Sequence, residues 1–384
     1  MGFMGYRRPN GSTGIRNHVV VMSSVSCANG VVNAIGRALP QVKTITHTEG
    51  CGRGPADITI SWRTLTGLGK NPNVAAVVVV GLGCEFIPAG GLAADIAQTA
   101  KPVEALVIQE KGGSRKTTEA GIQIAQRMLD DASRLTRDAC DWSELILATN
   151  CGGSDALSGV TANPLVGSFS DWLVARGGTT MLSETTEMIG TEHVLSRRAD
   201  DPEVGKQIYD LIMKQRKQAE DILGPLAHMV ISPGNIEGGL SNIMEKSMGC
   251  IIKAGTTPLK EVSDYAVGPT RKGFVIMDTP GSDIFSITGM AAGGAQVMIF
   301  TTGRGTPVGF PIMPLIKVAS NSELYRNMED DMDVNAGRLL EGTGIQEATE
   351  DFINLFERVV NGEKTKAEIN LQDVLSINTV SPPF

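Results

Sequence analysis

The chain has 384 residues, of which 41% are hydrophobic and 20% charged, and this balance favours a folded protein with two domains. Its 34 lysines and arginines against 42 aspartates and glutamates give a net charge of −8, which argues against nucleic acid or an anionic membrane as a general partner. Residues 1–9 lack a signal-peptide core, and no run reaches the roughly 18 apolar residues of a membrane helix, so we expect a cytoplasmic protein.

The first part of the chain alternates short β-branched runs with amphipathic segments, a pattern typical of βαβ units around a parallel sheet. We predict strands at residues 18–25, 43–47, 75–81, 104–109, 144–150 and 179–183. We predict helices at residues 29–39, 58–68, 92–100, 117–135 and 164–175. The third strand is apolar without alternation, which suits a strand covered on both faces.

A charged helical stretch at residues 200–224 precedes Pro225 and a Ser232-Pro-Gly-Asn235 turn, and we place a domain boundary there. Beyond it we predict helices at 240–253 and 347–360 and strands at 273–278 and 296–302. The expected fold is therefore α/β, with a Rossmann-like parallel-sheet first domain over residues 1–224 and a second, less regular α/β domain over residues 225–384.

Three of the six cysteines, Cys51, Cys84 and Cys151, each follow a different predicted strand and lie one residue from a glycine. A single cysteine usually packs as a small apolar group. Three cysteines that each follow a different strand are better explained as metal ligands, because the strand ends converge in open α/β sheets. Thiolates select iron or zinc over magnesium, so we expect ferrous iron or a three-cysteine iron–sulfur cluster.

The remaining cysteines, Cys27, Cys140 and Cys250, lack this pattern and are interpreted as structural or incidental. An alternative is a mononuclear metal held by histidine and carboxylate ligands instead, from the set His47, Glu184 and His193. The sequence leaves the two kinds of metal site open.

A metal with an open position could bind a carboxylate and a hydroxyl together and so assist an elimination, which also needs a base and an acid. The candidates all lie in or beside glycine-rich or turn-like segments: His47, Glu85, Glu184, Glu187, His193 and Lys246. His47 is preferred because it ends a predicted strand four residues before Cys51. For Glu187 a solvated helix charge is an equal alternative, and His18 and His228 are interpreted as structural.

Arg304 lies between glycines after a predicted strand, and its planar guanidinium suits a substrate carboxylate. A tight turn with a surface arginine is the alternative. The other candidate substrate-binding residues lie in nearby strand ends and turns: Thr302, Asn235, Ser154 and Asp155. A nucleotide is less favoured as ligand, because residues 25–30 lack the spaced glycines that surround a pyrophosphate.

Ordered motifs along the whole chain resemble the large catalytic part of the altronate and galactarate dehydratases. They include Gly14-Ile-Arg-Asn17, His47-Thr-Glu-Gly-Cys51-Gly, Arg63-Thr-Leu, Gly81-Leu-Gly-Cys-Glu85, Cys151-Gly-Gly-Ser-Asp155, Gly159-Val-Thr-Ala-Asn-Pro164, Pro233-Gly-Asn235, Asp278-Thr-Pro-Gly281 and Thr301-Thr-Gly-Arg-Gly305. The resemblance implies a hydro-lyase that acts on an aldonate or aldarate, usually requires ferrous iron and forms a 2-keto-3-deoxy acid.

The resemblance also implies alternatives. The same family includes a sulfolactate sulfo-lyase large subunit, whose branch lacks cysteines matching Cys51 and Cys84, so their presence favours the dehydratase branch. His193 resembles the altronate-type pattern, which favours an altronate-like substrate. Single-chain members carry a small extra N-terminal domain that this sequence does not show, so we expect a small partner subunit and an oligomer. A non-catalytic subunit is the third hypothesis.

Overall fold

The structure is a computed structural model that describes residues 2–384, except for the side chains of His228 and Met229. The structural interpretation of His228 therefore lies outside the described side chains. None of the helices in the described part of the chain has the length and apolarity of a membrane span.

The N-terminal part contains two short strands, a βαβ region and a further strand. In chain order these are β1 (Phe3–Arg7), β2 (Thr13–Gly14), β3 (His18–Ser23), α1 (Asn29–Ala38), β4 (Lys43–Ile45), α2 (Pro55–Lys70), β5 (Val74–Gly81), α3 (Ala89–Ala97), β6 (Val103–Val107), α4 (Ile108–Lys111), α5 (Ser114–Ala132) and β7 (Asp138–Cys140).

The rest of the chain contains seven strands and the helices between them. In chain order the elements are β8 (Ile146–Cys151), α6 (Ala162–Val174), β9 (Thr179–Leu182), α7 (Glu192–Arg198), α8 (Pro202–Leu223), α9 (Pro233–Glu237), α10 (Ile243–Cys250), β10 (Leu259–Ser263), β11 (Gly273–Met277), α11 (Asp283–Ala292), β12 (Val297–Thr302), β13 (Leu315–Ala319), α12 (Ser322–Asn327), β14 (Val334–Asn335), α13 (Ile345–Val360) and α14 (Lys366–Ile369). Short 3-10 helices occupy Ser26–Ala28, Trp142–Glu144, Thr185–Met188, Gly224–Met229, Ile251–Ala254 and Gly337–Glu341.

A four-stranded parallel sheet in the order β4-β3-β5-β6 organises the N-terminal part. Every residue of β5 is buried. Val77 and Val79 belong to the core on the side of α2 and α3, whereas Val78 and Val80 belong to the core on the side of α1 and α5. Helices therefore cover both faces, which is why this strand shows no polar alternation. The predicted α/β fold with a parallel sheet is confirmed.

A second parallel sheet has seven strands in the order β10-β11-β9-β8-β12-β13-β14. The expected domain boundary at residues 224 and 225 falls between members of this sheet, because β8 and β9 precede it and the other five strands follow it. The strands up to residue 140 belong to the two smaller sheets, and all strands after that residue belong to the seven-stranded sheet. One of the two smaller sheets is antiparallel, in the order β2-β1-β7.

The helices α2 and α11 pack against each other and join the two parallel sheets. Leu65 and Leu68 of α2 share one core cluster with Met290 and Ala291 of α11. A Cβ atom at Gly67 of α2 would collide with the backbone of α11, so a glycine is required at this close approach. The two sheets therefore share a continuous apolar core.

Candidate active site

The carboxyl ends of β8 and β9, in the middle of the seven-stranded sheet, carry a group of buried thiols and carboxylates. Cys151 is the last residue of β8, Glu184 and Glu187 follow β9, and Cys250 ends α10. One possible ligand atom from each residue lies within 4.8 Å of those of the other three, and all four residues are buried. We call these four residues the buried centre.

Hydrogen bonds fix the arrangement of the buried centre. The Cys151 Sγ donates to Glu187 Oε2 at 3.0 Å, and the Cys151 amide donates to Glu184 Oε2 at 2.8 Å. Glu184 has a left-handed backbone with a φ of 66°, and its amide donates to the Thr279 hydroxyl at 2.7 Å. A non-glycine residue in this conformation costs roughly 1–2 kcal/mol, and such strain is concentrated at functional sites.

Two lysines supply positive charge to the buried centre. Lys246 forms an ion pair with Glu187, and Lys253 lies 3.6 Å from Glu184 Oε2 and 3.2 Å from the Cys250 sulfur. Lys246 and Cys250 are four residues apart on α10, so they share one face of that helix. The side chain of Lys253 is completely buried. Together the ammonium groups offset the two carboxylates at a largely buried position.

Burial and mutual proximity shift the pKa values of these groups. The hydrogen bond with Cys250 and burial raise the pKa of the Cys151 thiol, while burial and the neighbouring Cys151 and Glu187 raise the pKa of Glu184. Burial alone would lower the pKa of Lys246, but the nearby Glu187 carboxylate and Cys151 raise it above its usual value. Both lysines therefore carry protons, and the thiol is protonated unless a cation displaces its proton.

The donor set of the buried centre fits a transition metal ion. Two sulfurs and two carboxylates within 4.8 Å can surround one ion, and thiolate ligands favour iron or zinc over magnesium or calcium. Burial would also protect the bound ion from bulk water. The residues present are therefore compatible with the iron that the sequence motifs imply.

A cavity of about 660 Å³ lies beside the buried centre. Glu187, Lys246 and Asn235 line it, as does Asp283 at the start of α11. A Cβ atom at Gly152 would collide with the Asp283 carboxylate, so the glycine allows this carboxylate to approach β8. Burial and the nearby Glu187 charge raise the pKa of Asp283 to about 6. The cavity thus presents a carboxylate that can gain or lose a proton near neutral pH.

An adjoining cavity of about 570 Å³ shares Thr186, Leu223 and Val230 with the first. Arg63 lines it, and the Nε atom of Arg63 is buried without a hydrogen-bond partner among the described residues. The two cavities together provide room for an extended polar ligand.

Of the predicted substrate-binding residues, Asn235 and Ser154 line cavities beside the buried centre. The Asn235 amide donates to the Ser154 carbonyl at 3.0 Å and accepts from Lys246 Nζ at 3.3 Å. The Ser154 hydroxyl is buried, lacks a partner among the described residues and belongs to a smaller cavity that Cys151 and Lys246 also line. Both residues can therefore position Lys246 or a ligand next to it.

The other predicted substrate-binding residues form hydrogen bonds or ion pairs within the protein, and Asp155 also lines the smaller cavity with Ser154. Asp155 accepts hydrogen bonds from Ser158, Ser320 and Asn321, so its carboxylate is occupied by loop contacts. The Thr302 hydroxyl is buried and accepts from the Gly305 amide at 2.9 Å. Arg304 is 47% exposed and pairs with Glu237 at 2.9 Å, and among the described side chains it does not line the 660 Å³ cavity.

The two predicted catalytic histidines lie away from the buried centre. Both ring nitrogens of His47 are engaged by backbone, at 2.9 Å from the Ser23 carbonyl and 3.1 Å from the Glu49 amide, and burial lowers the pKa of the ring. This arrangement favours a structural role in joining the ends of β3 and β4. His193 is exposed on α7, with its ring against Tyr209.

The three predicted metal ligands Cys51, Cys84 and Cys151 do not form one group within 4.8 Å of each other among the described residues. Cys51 and Cys84 are exposed on loops after β4 and β5, whereas Cys151 is buried at the end of β8. Of the residues predicted from sequence, Cys151, Glu184 and Lys246 therefore come together, with Glu187 from the wider set of candidates.

Sequence reasoning interpreted Cys250 as structural or incidental, whereas it lies in the buried centre, and did not select Lys253 or Asp283. Cys250 lies at a helix end rather than a strand end, but its spacing of four residues from Lys246 is a signal that could have indicated a shared helix face. Asp283 follows the Asp278-Thr-Pro-Gly281 turn after a predicted strand, which is the same kind of position that drew attention to Cys151.

Comparison with known proteins assigns both parts of the chain. Residues 5–133 match the model of the second domain of D-galactarate dehydratase/altronate hydrolase, and residues 142–381 match the model of the C-terminal domain of D-galactarate/altronate dehydratase. The chain belongs to the galactarate and altronate dehydratase family. All four residues of the buried centre lie in the second matched region of this dehydratase-family chain.

The relatives of this dehydratase-family chain are named as dehydratases or as a sulfo-lyase subunit. It is 35% identical to the altronate dehydratase of Bacillus subtilis (strain 168), across 96% of this chain and 76% of that protein. It is 37% identical to the galactarate dehydratase (L-threo-forming) of Escherichia coli (strain K12), across 94% and 73% respectively. It is 36% identical to the (2R)-sulfolactate sulfo-lyase subunit beta of Chromohalobacter salexigens, across 95% and 94%. The predicted family membership is confirmed, and the chain is an enzyme of the lyase class.

Proposed function

We propose that this protein eliminates water from a sugar acid, an altronate-like aldonate or a related aldarate, and forms a 2-keto-3-deoxy acid with the help of bound iron. The observation that carries the proposal is the contact between the buried centre and the 660 Å³ cavity through Glu187 and Lys246. A six-carbon acid needs a polar cavity of about this volume, with a general base close to the charged side chains that line it.

The buried centre is the proposed iron site, in place of the cysteine set expected from sequence. Cys151, Glu184, Glu187 and Cys250 would hold the ion, which would supply a Lewis acid for the carboxylate and a hydroxyl of the substrate. Lys253, behind the carboxylates, would limit the negative charge that the ligands accumulate when the thiols lose their protons.

The protons of the elimination are assigned to residues that line the cavity. Asp283 in its ionised form takes the proton from C2, and the electrons of that C–H bond form the C2–C3 double bond. The Lys246 ammonium, which holds its proton firmly in the ground state, donates it to the hydroxyl leaving C3 as that oxygen gains charge. Asn235 orients Lys246 through the 3.3 Å contact. The enol product then takes a proton at C3, loses the proton of its C2 hydroxyl to solvent and becomes the keto acid.

The pH dependence of the reaction tests the role of Asp283. Because its pKa is raised to about 6, the ionised fraction falls as the pH drops through about 6, and we expect kcat/KM to decline there rather than near the ordinary aspartate pKa. Asp283→Asn should lower kcat by about 100-fold or more and remove this acid limb. Asp200→Asn, which changes a carboxylate in a surface ion pair, should keep the wild-type profile. An unchanged profile in Asp283→Asn would exclude Asp283 as the base.

A direct assay tests the function itself. The protein is purified without oxygen, loaded with ferrous iron and incubated separately with altronate, galactarate and (2R)-sulfolactate, and the release of 2-keto acid and of sulfite is measured. Formation of a 2-keto-3-deoxy acid from either sugar acid supports the proposal. Turnover of sulfolactate alone, with sulfite released, would contradict it.

A sulfo-lyase is the second candidate, because the relative named as a sulfo-lyase subunit matches across 94% of its own length. Its designation as subunit beta also supports the proposal that this chain acts with a small partner subunit. Inactivity of the isolated chain on all three acids, followed by turnover when a small subunit is added, would assign the chain to such a complex.

A further inference from the structure

Arg63, on α2, is a partly buried arginine without a partner among the described residues. Its guanidinium forms no ion pair or hydrogen bond with them, and its Nε atom is buried. An arginine side chain carries five N–H donors and stays charged at any ordinary pH. Burying part of it without acceptors therefore costs free energy, and a ligand that supplies the missing acceptors would recover that cost.

Arg63 lines the 570 Å³ cavity, which adjoins the larger cavity beside the buried centre. Thr186 lines both cavities and directly precedes Glu187 of the buried centre. Thr279, which also lines the 570 Å³ cavity, accepts a hydrogen bond from the Glu184 amide at 2.7 Å. A ligand bound in the larger cavity can therefore extend along Thr186 into the cavity that Arg63 lines.

The acidic side chains of the 570 Å³ cavity do not pair with Arg63. Asp278 accepts a hydrogen bond from the Thr185 hydroxyl at 2.6 Å, and Asp264 is exposed to solvent. Neither carboxylate forms an ion pair with the arginine. Lys214, on α8, adds a second positive charge to the same lining. The cavity therefore offers a guanidinium and an ammonium group to an anionic part of a ligand.

The C-terminal segment forms part of the wall beside Arg63 and is attached to the same helix. Residues 378–380 line the 570 Å³ cavity. The Asp57 carboxylate, on α2, accepts a hydrogen bond from the Val380 amide at 2.6 Å and another from the Ser381 hydroxyl. Helix α2 therefore holds both the arginine and the adjacent wall in place, which reduces the ordering that a ligand must cause on binding.

We propose that Arg63 binds the second carboxylate of a dicarboxylic sugar acid whose first carboxylate lies in the larger cavity beside the buried centre. This inference rests on the proposed function and narrows its substrate class to six-carbon aldarates. A guanidinium can donate two parallel hydrogen bonds to a carboxylate, whereas the CH₂OH end of an aldonate would leave its charge unpaired. Arg63 belongs to the first matched region and the buried centre to the second, so the complete binding site requires both regions.

The test compares a dicarboxylate with a monocarboxylate of the same length. The full-length protein, purified without oxygen and loaded with ferrous iron, is assayed with galactarate and with altronate. We expect Arg63→Gln to raise KM for galactarate by about 10- to 100-fold, as the loss of a charge-assisted contact predicts, and KM for altronate by less than about 3-fold. Arg63→Lys should give an intermediate KM for galactarate, because an ammonium group keeps the charge but not the bidentate contact. Lys70→Gln removes a positive charge from the same helix, at a residue that is not among those described as lining the cavity, and should leave both KM values unchanged.

Direct binding separates this proposal from the proposed function. Isothermal titration calorimetry with galactarate and with altronate uses the ferrous-loaded protein in the Asp283→Asn background, where turnover is slow. Circular dichroism confirms that each variant is folded. We expect Arg63→Gln to weaken galactarate binding by the same factor and altronate binding by less than about 3-fold. If neither acid is dehydrated but this selective loss is found, only the proposed function fails. The Arg63 assignment is overturned if the protein with Arg63 intact does not bind galactarate, or if Arg63→Gln leaves galactarate binding unchanged or weakens both acids equally.

Discussion

Replacing Glu187 by glutamine is expected to lower kcat by about 100-fold or more, because it removes a proposed metal ligand and the ion-pair partner of the general acid Lys246. Glu187 lines the cavity, pairs with Lys246 and accepts a hydrogen bond from the Cys151 thiol. Glutamine keeps the size of the side chain but removes its charge, so the ion pair with Lys246 and one ligand of the buried centre are lost together. Steady-state kinetics under saturating substrate measure the effect.

The matched control for this change is Glu192→Gln. Glu192 is also a buried carboxylate in an ion pair, with Arg216 at 2.8 Å, but it lies on α7 and is not among the described residues that line the cavity. We expect its kcat to stay close to the wild-type value. Equal losses in the two variants would mean that the effect reflects general destabilisation rather than a role at the site.

Replacing Glu187 by glutamine should also change how the residual activity depends on pH. The Glu187 charge is the second cause, after burial, that raises the pKa of Asp283. Removing that charge should therefore move the acid limb of the residual activity to lower pH. A limb that stays near pH 6 would show that Asp283 does not sense Glu187.

Replacing Lys253 by methionine is expected to reduce the free energy of unfolding by about 3–5 kcal/mol, as is typical when one partner of a buried ion pair is removed. Lys253 is completely buried between Glu184 and Cys250. Methionine fills much of the same volume but leaves the Glu184 carboxylate without its positive neighbour. Denaturant unfolding followed by circular dichroism measures the loss.

The loss in Lys253→Met should depend on pH with a definite sign. The folded-state pKa of Glu184 is already raised, and removing Lys253 raises it further because the lysine charge lowers it. Between the ordinary glutamate pKa and this raised value the folded state binds more protons than the unfolded state, so the variant should become less stable as the pH rises. Its deficit relative to the wild type should therefore stay constant below the raised wild-type pKa of Glu184 and grow as the pH rises through that pKa.

Lys260→Met provides the comparison for this second prediction. Lys260 forms a partly exposed ion pair with Asp200, for which a contribution of at most about 1 kcal/mol is typical. A Lys253 variant that is no less stable than the Lys260 variant would indicate that the ammonium group contributes nothing to the buried centre.

Features of the fold could be predicted where they depend on a pattern within one short segment of the sequence. The continuous apolar run of β5 indicated a strand covered by helices on both faces, and the structure places it in the middle of a parallel sheet. The pairing of β12 with β8 and of β11 with β9 could not be predicted, because parallel partners far apart in sequence leave no local pattern. The domain boundary expected at residue 224 was inferred from local composition, which carries no information about which strands share a sheet.

The candidate site likewise contains residues that the sequence could identify and residues that only tertiary packing brings there. Cys151 and Glu184 follow predicted strands, so the rule that strand ends converge was enough to select them. Cys250 and Lys253 reach the site only because α10 and the following 3-10 helix pack beside β8 and β9, and this packing depends on tertiary contacts. His47 was preferred for its position beside Cys51, but its ring nitrogens are occupied by backbone of neighbouring strand ends, which no sequence pattern shows.

The packing of α2 against α11 makes the two matched regions of the family depend on each other for solubility. Leu65 and Leu68 on one helix cover Met290 and Ala291 on the other. A gene fragment that encodes either region alone would produce a piece with an uncovered apolar helix face, and such faces promote aggregation. The two regions are therefore expected to be inherited and expressed as one unit.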